Sequence, residues 1–319
     1  MIRKRKTLNK INDEDFQDLG FGAKVASQRQ RLINRDGSFN VVRTGQSFFE
    51  RFSPYHYLVS ISWLRFNTFV VLSYLVINIL FAFIYLTFGI NNLNAQHTYF
   101  FHDFLNSFFF SLQTFTTVGY GRLNPTSDIE SFIAGIESLT GLMGFALATG
   151  LLYGRFSRPN AKIIFSKNAV IAPYRDITAF EFRIANARDN QLIEADIQVM
   201  LSMKDRAKGR ETKRVFHNLS LERQKVTFFS LTWTVVHPID KESPLYGLTA
   251  SELKETDAEF LILFKAFDDT FSQTVHSRSS YKYDEIIWNA AFKSVYLDTK
   301  SGVSTIDMRR IHEIDKLKD

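Results

Sequence analysis

The stretch "TFTTVGYGR" at residues 114–122 sets Gly119 and Gly121 around Tyr120 and carries no acid, histidine or cysteine. Its working groups must therefore belong to the backbone. Glycine reaches backbone angles that other residues avoid, so two glycines let successive carbonyls point the same way. A row of parallel carbonyl dipoles can replace the water around a small cation. Thr117 adds a hydroxyl oxygen at one end, and Tyr120 with the nearby phenylalanines can brace the strand from behind. One chain supplies one wall only. A closed ring needs several copies around an axis, so a single copy per chain predicts a homotetramer.

The flanks agree with such a placement. "YFFHDFLNSFFFSLQTF" (99–115) reads as a helical run of phenylalanines that stops at the glycines. A helix of about a dozen residues is too short to cross a hydrocarbon layer of roughly 30 Å. The residues after it must return within the depth of the membrane. Non-helical backbone is tolerated there only where protein buries it or water lines it. On the N-terminal side, residues 66–90 hold no Asp, Glu, His, Lys or Arg over 25 positions, long enough to span. On the C-terminal side, 129–153 is a second span that carries Glu130 and Glu137. Intramembrane carboxylates mark bundle interiors or watery paths rather than lipid faces.

Charge sets the topology. Twelve Lys or Arg precede residue 66, only Arg122 lies in 91–128, and Arg155, Arg158, Lys162 and Lys167 follow the second span. The positive-inside tendency places both termini in the cytoplasm and the 91–128 loop outside. The net charge of +6 is thereby explained without nucleic acid. The first ten residues form a basic tail rather than a secretory signal, because no apolar stretch follows them. Absence of cysteine excludes disulfides and thiol catalysis. No Gly-rich phosphate loop or metal-spaced histidine pair suggests an enzyme. "SPYHYLVSISWLRF" (53–66) mixes aromatics and one Arg after Pro54, as an interfacial helix does.

Beyond Pro159 the pattern changes to short alternating runs. "FEFRIA" (180–185), "IEADIQVML" (193–201), "VTFFSLTWTVV" (226–236) and "FLILFKAF" (260–267), with shorter runs near 275, 295 and 304, predict about seven strands in a β-sandwich. The 226–236 run puts Phe229, Leu231, Trp233 and Val235 on one face. Pro238, Pro244 and Gly247 are expected in one connection.

Thr116-Thr117-Val118-Gly119-Tyr120-Gly121 resembles the selectivity filter of potassium channels. "WTVVHPIDKESPLYGL" (233–248) is similar to a signature of inward-rectifier potassium channels through His237, Ile239, Asp240, Ser243, Pro244 and Leu245. "SRSSYKYDEIIW" (277–288) and Arg158-Pro159 resemble two further segments of that family, and "DLGFG" (18–22) with "PYHYLVSISWLRF" looks like its prokaryotic branch. The resemblance implies an α+β membrane protein: a two-transmembrane-helix pore with a re-entrant pore helix and filter, plus a cytoplasmic immunoglobulin-like β-sandwich domain. The boundaries expected are a cytoplasmic segment 1–52, an interfacial slide helix 53–65, a pore domain 66–158 and the β domain 159–319. Within the pore domain they are an outer helix 66–90, pore helix 102–115, filter 116–121 and inner helix 127–155.

The same resemblance implies passive, voltage-independent K+ conduction through a homotetramer in the cell (inner) membrane. K+ is held at Thr117, Val118, Gly119 and Tyr120, and no other cofactor is implied. Gly141 falls at the family's inner-helix bend, and Tyr153 at the bulky residue that narrows the bundle crossing. Phe145 and Lys265 replace acids that hold cationic blockers, which implies weak rectification. Asp268 and Asp269 lie by the loop of the cytoplasmic pore, either partly compensating or as solvated turn residues. Gln113 replaces a pore-helix glutamate. Glu137 and Phe145, eight residues apart, differ by about 80° around the helix. A cavity-facing Phe145 therefore turns Glu137 partly behind the filter, toward Gln113 or nearby amides. Arg51, Arg65, Arg155, Arg158, Lys162 and Lys167 gather at the inner face and suggest anionic, phosphoinositide-type phospholipid regulation, beside simple topology anchoring. The competing reading is a membrane-anchored sensor with a non-conducting pore.

Overall fold

The computed structural model of the chain describes residues 31–41, 45, 47, 53–88, 93, 97–157, 161–204, 214–229, 231–297 and 305–317. It divides into two compact units, one of Thr44–Arg158 and one that joins Met1–Arg43 to Pro159–Asp319.

The first unit is helical. A short helix α1 (Pro54–Ser60) starts with proline at its first position, where a missing N–H costs nothing. Two residues later α2 (Trp63–Phe88) begins, and it is long and apolar enough to cross a membrane. Trp63 and Arg65, expected in the interfacial helix, are thus the first turn of the span. No proline or glycine stands between Ser62 and Phe66 to delay it. Helix α3 (Phe100–Phe115) is about one turn short of a span. Helix α4 (Asp128–Phe156) is the second long apolar helix, opened by Ser127, whose hydroxyl accepts the Glu130 amide. Tyr85, Phe110, Leu93 and Leu123 form a buried cluster that ties α2 to α3 and to the loops around it.

The second unit is a two-sheet sandwich. In one sheet β3 (Ile177–Asn186) is central: β1 (Ile163–Phe165) and β2 (Ala169–Tyr174) share one edge and β7 (Thr232–Ile239) takes the other. A three-residue strand at Ile286–Trp288 runs parallel to β2. In the other sheet β8 (Glu259–Asp268) lies between β4 (Leu192–Lys204) and β9 (Gln273–Lys282). The far edge of β4 pairs first with β6 (Lys225–Phe229) and then with β5 (Arg214–Asn218). Phe180 of β3 stacks on Phe260 of β8 with centroids 4.1 Å apart, so the inward residues of both sheets make one core.

Two sequence expectations change here. The 226–236 run is two strands, β6 and β7, with a break between them that leaves Leu231 exposed while Phe229, Trp233 and Val235 stay buried. Pro238 sits inside β7 opposite Ala179 rather than in the following connection. It is tolerated because β7 is an edge strand and needs no donor on its open side.

Residues 31–35 belong to the sandwich. The Glu259 carboxylate, buried at the start of β8, accepts the Leu32 amide at 2.8 Å and the Ile33 amide at 3.2 Å. Arg31 and Arg35 grip Glu285 at 2.9 and 2.8 Å. Burial pushes the Glu285 carboxyl up, but the two guanidinium groups outweigh it and hold the group below the usual carboxylate range.

Candidate functional site: the glycine strand and its supports

Past α3 the backbone alternates in hand. Thr117, Gly119 and Gly121 take positive φ of 59°, 55° and 76°, while Val118 and Tyr120 between them do not. The amides turn back to the helix. Val118 N–H donates to the Gln113 carbonyl at 2.9 Å, and Gly119 N–H to the same oxygen at 3.4 Å. Tyr120 N–H donates to Gln113 Oε1 at 3.2 Å. In a trans peptide the C=O points opposite to the N–H. The carbonyls of Thr117, Val118 and Gly119 therefore all point away from α3. Such a row of oxygens, with no side-chain charge beside it, is suited to a desolvated monovalent cation.

Gln113 thus receives three amides of the glycine strand through its backbone and side chain, which makes it the hub of the strand. Glu137 is not its partner, contrary to the sequence expectation. The Glu137 carboxyl accepts the Tyr85 hydroxyl of α2 at 2.7 Å and also meets the Ser111 hydroxyl of α3. Ser111 Oγ in turn lies 3.0 Å from Asn78 Oδ1, and Asn78 Nδ2 donates to the Tyr74 carbonyl at 2.7 Å. All four side chains are fully buried. Ser111 is half a turn before Gln113, so it reaches Glu137 first. Sequence reasoning missed Asn78, Tyr85 and Ser111. The available signal was Asn78 and Tyr85 seven residues apart, on one face of a largely apolar helix.

Gly141 has a packing role. A Cβ there would stand 1.9 Å from the Phe115 carbonyl oxygen, so only glycine lets α4 touch the end of α3. Helix α4 continues unbroken through this position. One turn earlier Ser138 Oγ donates to the Thr114 carbonyl at 3.3 Å. Phe145 and Tyr153, by contrast, are about three-quarters exposed in the single chain. They lie eight residues apart, 80° around α4.

The basic cluster does not act as one. Arg155 donates to the Leu58 and Ile61 carbonyls at 2.6 and 2.7 Å and lies over the rings of Trp63 and Phe66. Its guanidinium is committed to α1 and the start of α2. Gly154 beside it admits the Tyr55 hydroxyl, 2.8 Å from where a Cβ would be. Arg65, Lys162 and Lys167 are exposed, and Arg51 and Arg158 lie outside the described residues.

In the sandwich, Asp268 is neither a free charge nor a solvated turn residue. It is fully buried, accepts Asn190 Nδ2 at 2.7 Å and the Thr270 amide at 3.0 Å, and so ties the β8–β9 turn. Asp269 is on that turn and exposed. Lys265 is exposed on β8 opposite Asp196. The His237–Leu245 segment is a closed hydrogen-bonded connection. His237 Nδ1 meets the Ser220 carbonyl at 2.6 Å, its Nε2 meets Ser243 Oγ at 2.8 Å, and Asp240 accepts the Ser243 amide at 3.0 Å. Burial pulls the His237 pKa below its ordinary value, against the Ser220 carbonyl and Asp240.

Comparison with known proteins fits this anatomy. Residues 163–319 match the model of the inward rectifier potassium channel C-terminal domain, and residues 69–158 match an ion channel model. The chain is 38% identical over 296 residues to inward rectifier potassium channel Kirbac3.1 of Paramagnetospirillum magnetotacticum, covering 92% of this chain and 98% of that one. It is 28% identical over 224 residues to inward rectifier potassium channel 4 of Homo sapiens, and 27% identical over 229 residues to ATP-sensitive inward rectifier potassium channel 12 of Mus musculus. Each of these alignments takes in 66% of this chain, and about half of the mammalian protein (49% and 52%). Two apolar helices flanking a carbonyl-lined strand, a β-sandwich that follows them, and this identity over nearly the whole length lead to one conclusion: the chain belongs to the inward-rectifier potassium channel family.

Proposed function

We propose that four copies of the chain surround one axis and conduct K+ passively through a filter built from the carbonyls of Thr117, Val118, Gly119 and Tyr120. The observation that carries this reading is the alternation of backbone hand at Thr117, Gly119 and Gly121, with the intervening amides turned back to Gln113. One strand offers too few oxygens to replace a hydration shell, and four such strands complete it. The C-terminal end of α3, the negative end of its dipole, lies directly before the strand and favours a cation there.

Phe145 lines the cavity below the filter and Tyr153 narrows its inner end. Both are bulky apolar side chains with no neighbour within the single chain to cover them. The β-sandwich and both termini are cytoplasmic, on the basic-residue asymmetry, and the membrane is the cell's inner one. Rectification is weak, because Phe145 and Lys265 supply no acid and Asp268 is used up in its turn. Anionic phospholipid contact falls to Arg51, Arg65, Arg158, Lys162 and Lys167. Arg155 is excluded by its bonds to α1.

The test is cation uptake into liposomes that hold the purified protein, after its mass in detergent has been measured. A tetramer that takes up K+ over Na+ and is blocked by barium supports the reading. A monomer or dimer, or unselective uptake in every lipid mixture, overturns it in favour of a non-conducting membrane anchor.

A further inference from the structure

The filter reading leaves one polar chain unexplained. Asn78 and Tyr85 are two turns apart on α2, and both side chains are fully buried in a helix that is largely apolar. Apolar packing already joins α2 to α3: Phe83 faces Phe104 at 5.4 Å and Tyr85 faces Phe110 at 4.9 Å. A buried amide and hydroxyl are costly unless each finds a partner. Here they do, in one connected path. Tyr85 donates to Glu137 Oε2 at 2.7 Å, a neutral Glu137 carboxyl donates through its other oxygen to Ser111 Oγ, Ser111 donates its one proton to Asn78 Oδ1 at 3.0 Å, and Asn78 donates to the Tyr74 carbonyl.

The path joins the three helices α2, α3 and α4 at one residue, Ser111, which is two positions before Gln113. Gln113 holds the amides of Val118, Gly119 and Tyr120. Apolar contacts let helices slide by fractions of an ångström, whereas a satisfied buried hydrogen-bond path fixes spacing and direction. Discrimination among cations by carbonyl rings requires that kind of fixity, or at least a defined number of coordinating oxygens.

We propose that Asn78 and Tyr85 of the outer helix are positioning residues for the filter, acting through Glu137 and Ser111 on Gln113. The inference rests on the channel reading above. Tyr85→Phe removes the hydroxyl and keeps the ring on Phe110, and Asn78→Ala removes the other end of the path.

Both variants and the parent are compared in liposomes by K+ and Na+ uptake, with the Tyr85→Phe/Asn78→Ala double variant. Loss of one buried hydrogen bond predicts a fall in the K+-over-Na+ ratio of about threefold to tenfold in each single variant. The double variant is expected to be no worse than its worse parent, because both changes break one path. A ratio equal to the parent's in both Tyr85→Phe and Asn78→Ala, with only total uptake or thermal stability lowered, overturns the proposal and leaves a packing role. If Tyr85→Phe gives no folded protein, Asn78→Ala alone decides by the same ratio. A parent protein with no selectivity overturns the channel reading itself, and that result is distinct from equal selectivity in parent and variants.

Discussion

Thr117 is β-branched and sits at φ 59°, a region that β-branched side chains avoid. Its amide donates to the Thr114 carbonyl at 3.1 Å and the next amide donates to Gln113, so neighbours on both sides hold the strained residue. Two glycines nearby show how one substitution fails for different reasons. Gly119 has positive φ and open space around it, so Gly119→Ala costs about 1–2 kcal/mol of backbone strain. The expected result is assembled protein with lost K+ selectivity. Gly141→Ala collides with the Phe115 carbonyl and is expected to cost about 3 kcal/mol or more. Thermal unfolding in detergent, with gel filtration, separates the two, and a well-assembled Gly141→Ala protein with altered gating alone would restore the hinge reading.

His237 offers a pH test at the same scale. Its folded pKa lies below the unfolded value of about 6.5, so the unfolded chain takes up the proton first as pH falls. The stability contribution is complete above that value and is lost on acidification below it. The denaturant midpoint of the sandwich is expected to drop between pH 7.5 and 5.5, and His237→Gln to flatten that part of the drop. An identical slope in the variant removes His237 from the account. Gly119 and Gly121 were legible from the sequence because a missing side chain is visible in the letter itself. The reason for Gly141, and the partners of Glu137, were not, since both depend on which residue of α3 happens to face α4.

Among the elements, α1 and α4 are tied by Arg155, whose charge suggested lipid while its geometry serves backbone carbonyls. Arg155→Lys keeps the charge but cannot span both the Leu58 and Ile61 oxygens. Amide exchange over residues 54–61 is expected to rise about tenfold, as for a local opening made easier by roughly 1.4 kcal/mol. Unchanged exchange together with weaker binding to anionic vesicles would return Arg155 to the lipid cluster. Helix type and order could be read from hydropathy because a span needs a fixed length of uncharged chain. The slide-helix boundary could not, because Trp63 and Arg65 suit a headgroup position equally well from the first turn of α2. Likewise the alternation in 226–236 gave the right period but not the break, since Leu231 fits the pattern by composition and is exposed only because the chain turns there.

For the molecule as a whole, the proposed assembly of several copies rests on the single glycine strand per chain. Tyr153 is expected to face the axis at the inner end, so Tyr153→Ala should raise unstimulated K+ uptake into liposomes severalfold. Uptake equal to the parent's would move the constriction elsewhere. The fold class was legible because the filter and the His237–Leu245 connection each constrain a different half of the chain. Rectification and lipid contact were less legible, resting on single positions such as Phe145 and Lys265. The central claim, that backbone carbonyls at 117–120 select K+, is tested most directly by the reversal potential of the purified protein in a planar bilayer with K+ on one side and Na+ on the other. The account predicts a strongly displaced reversal, in the direction that favours K+ by a large permeability ratio. A reversal near zero, with current still blocked by barium, would contradict it.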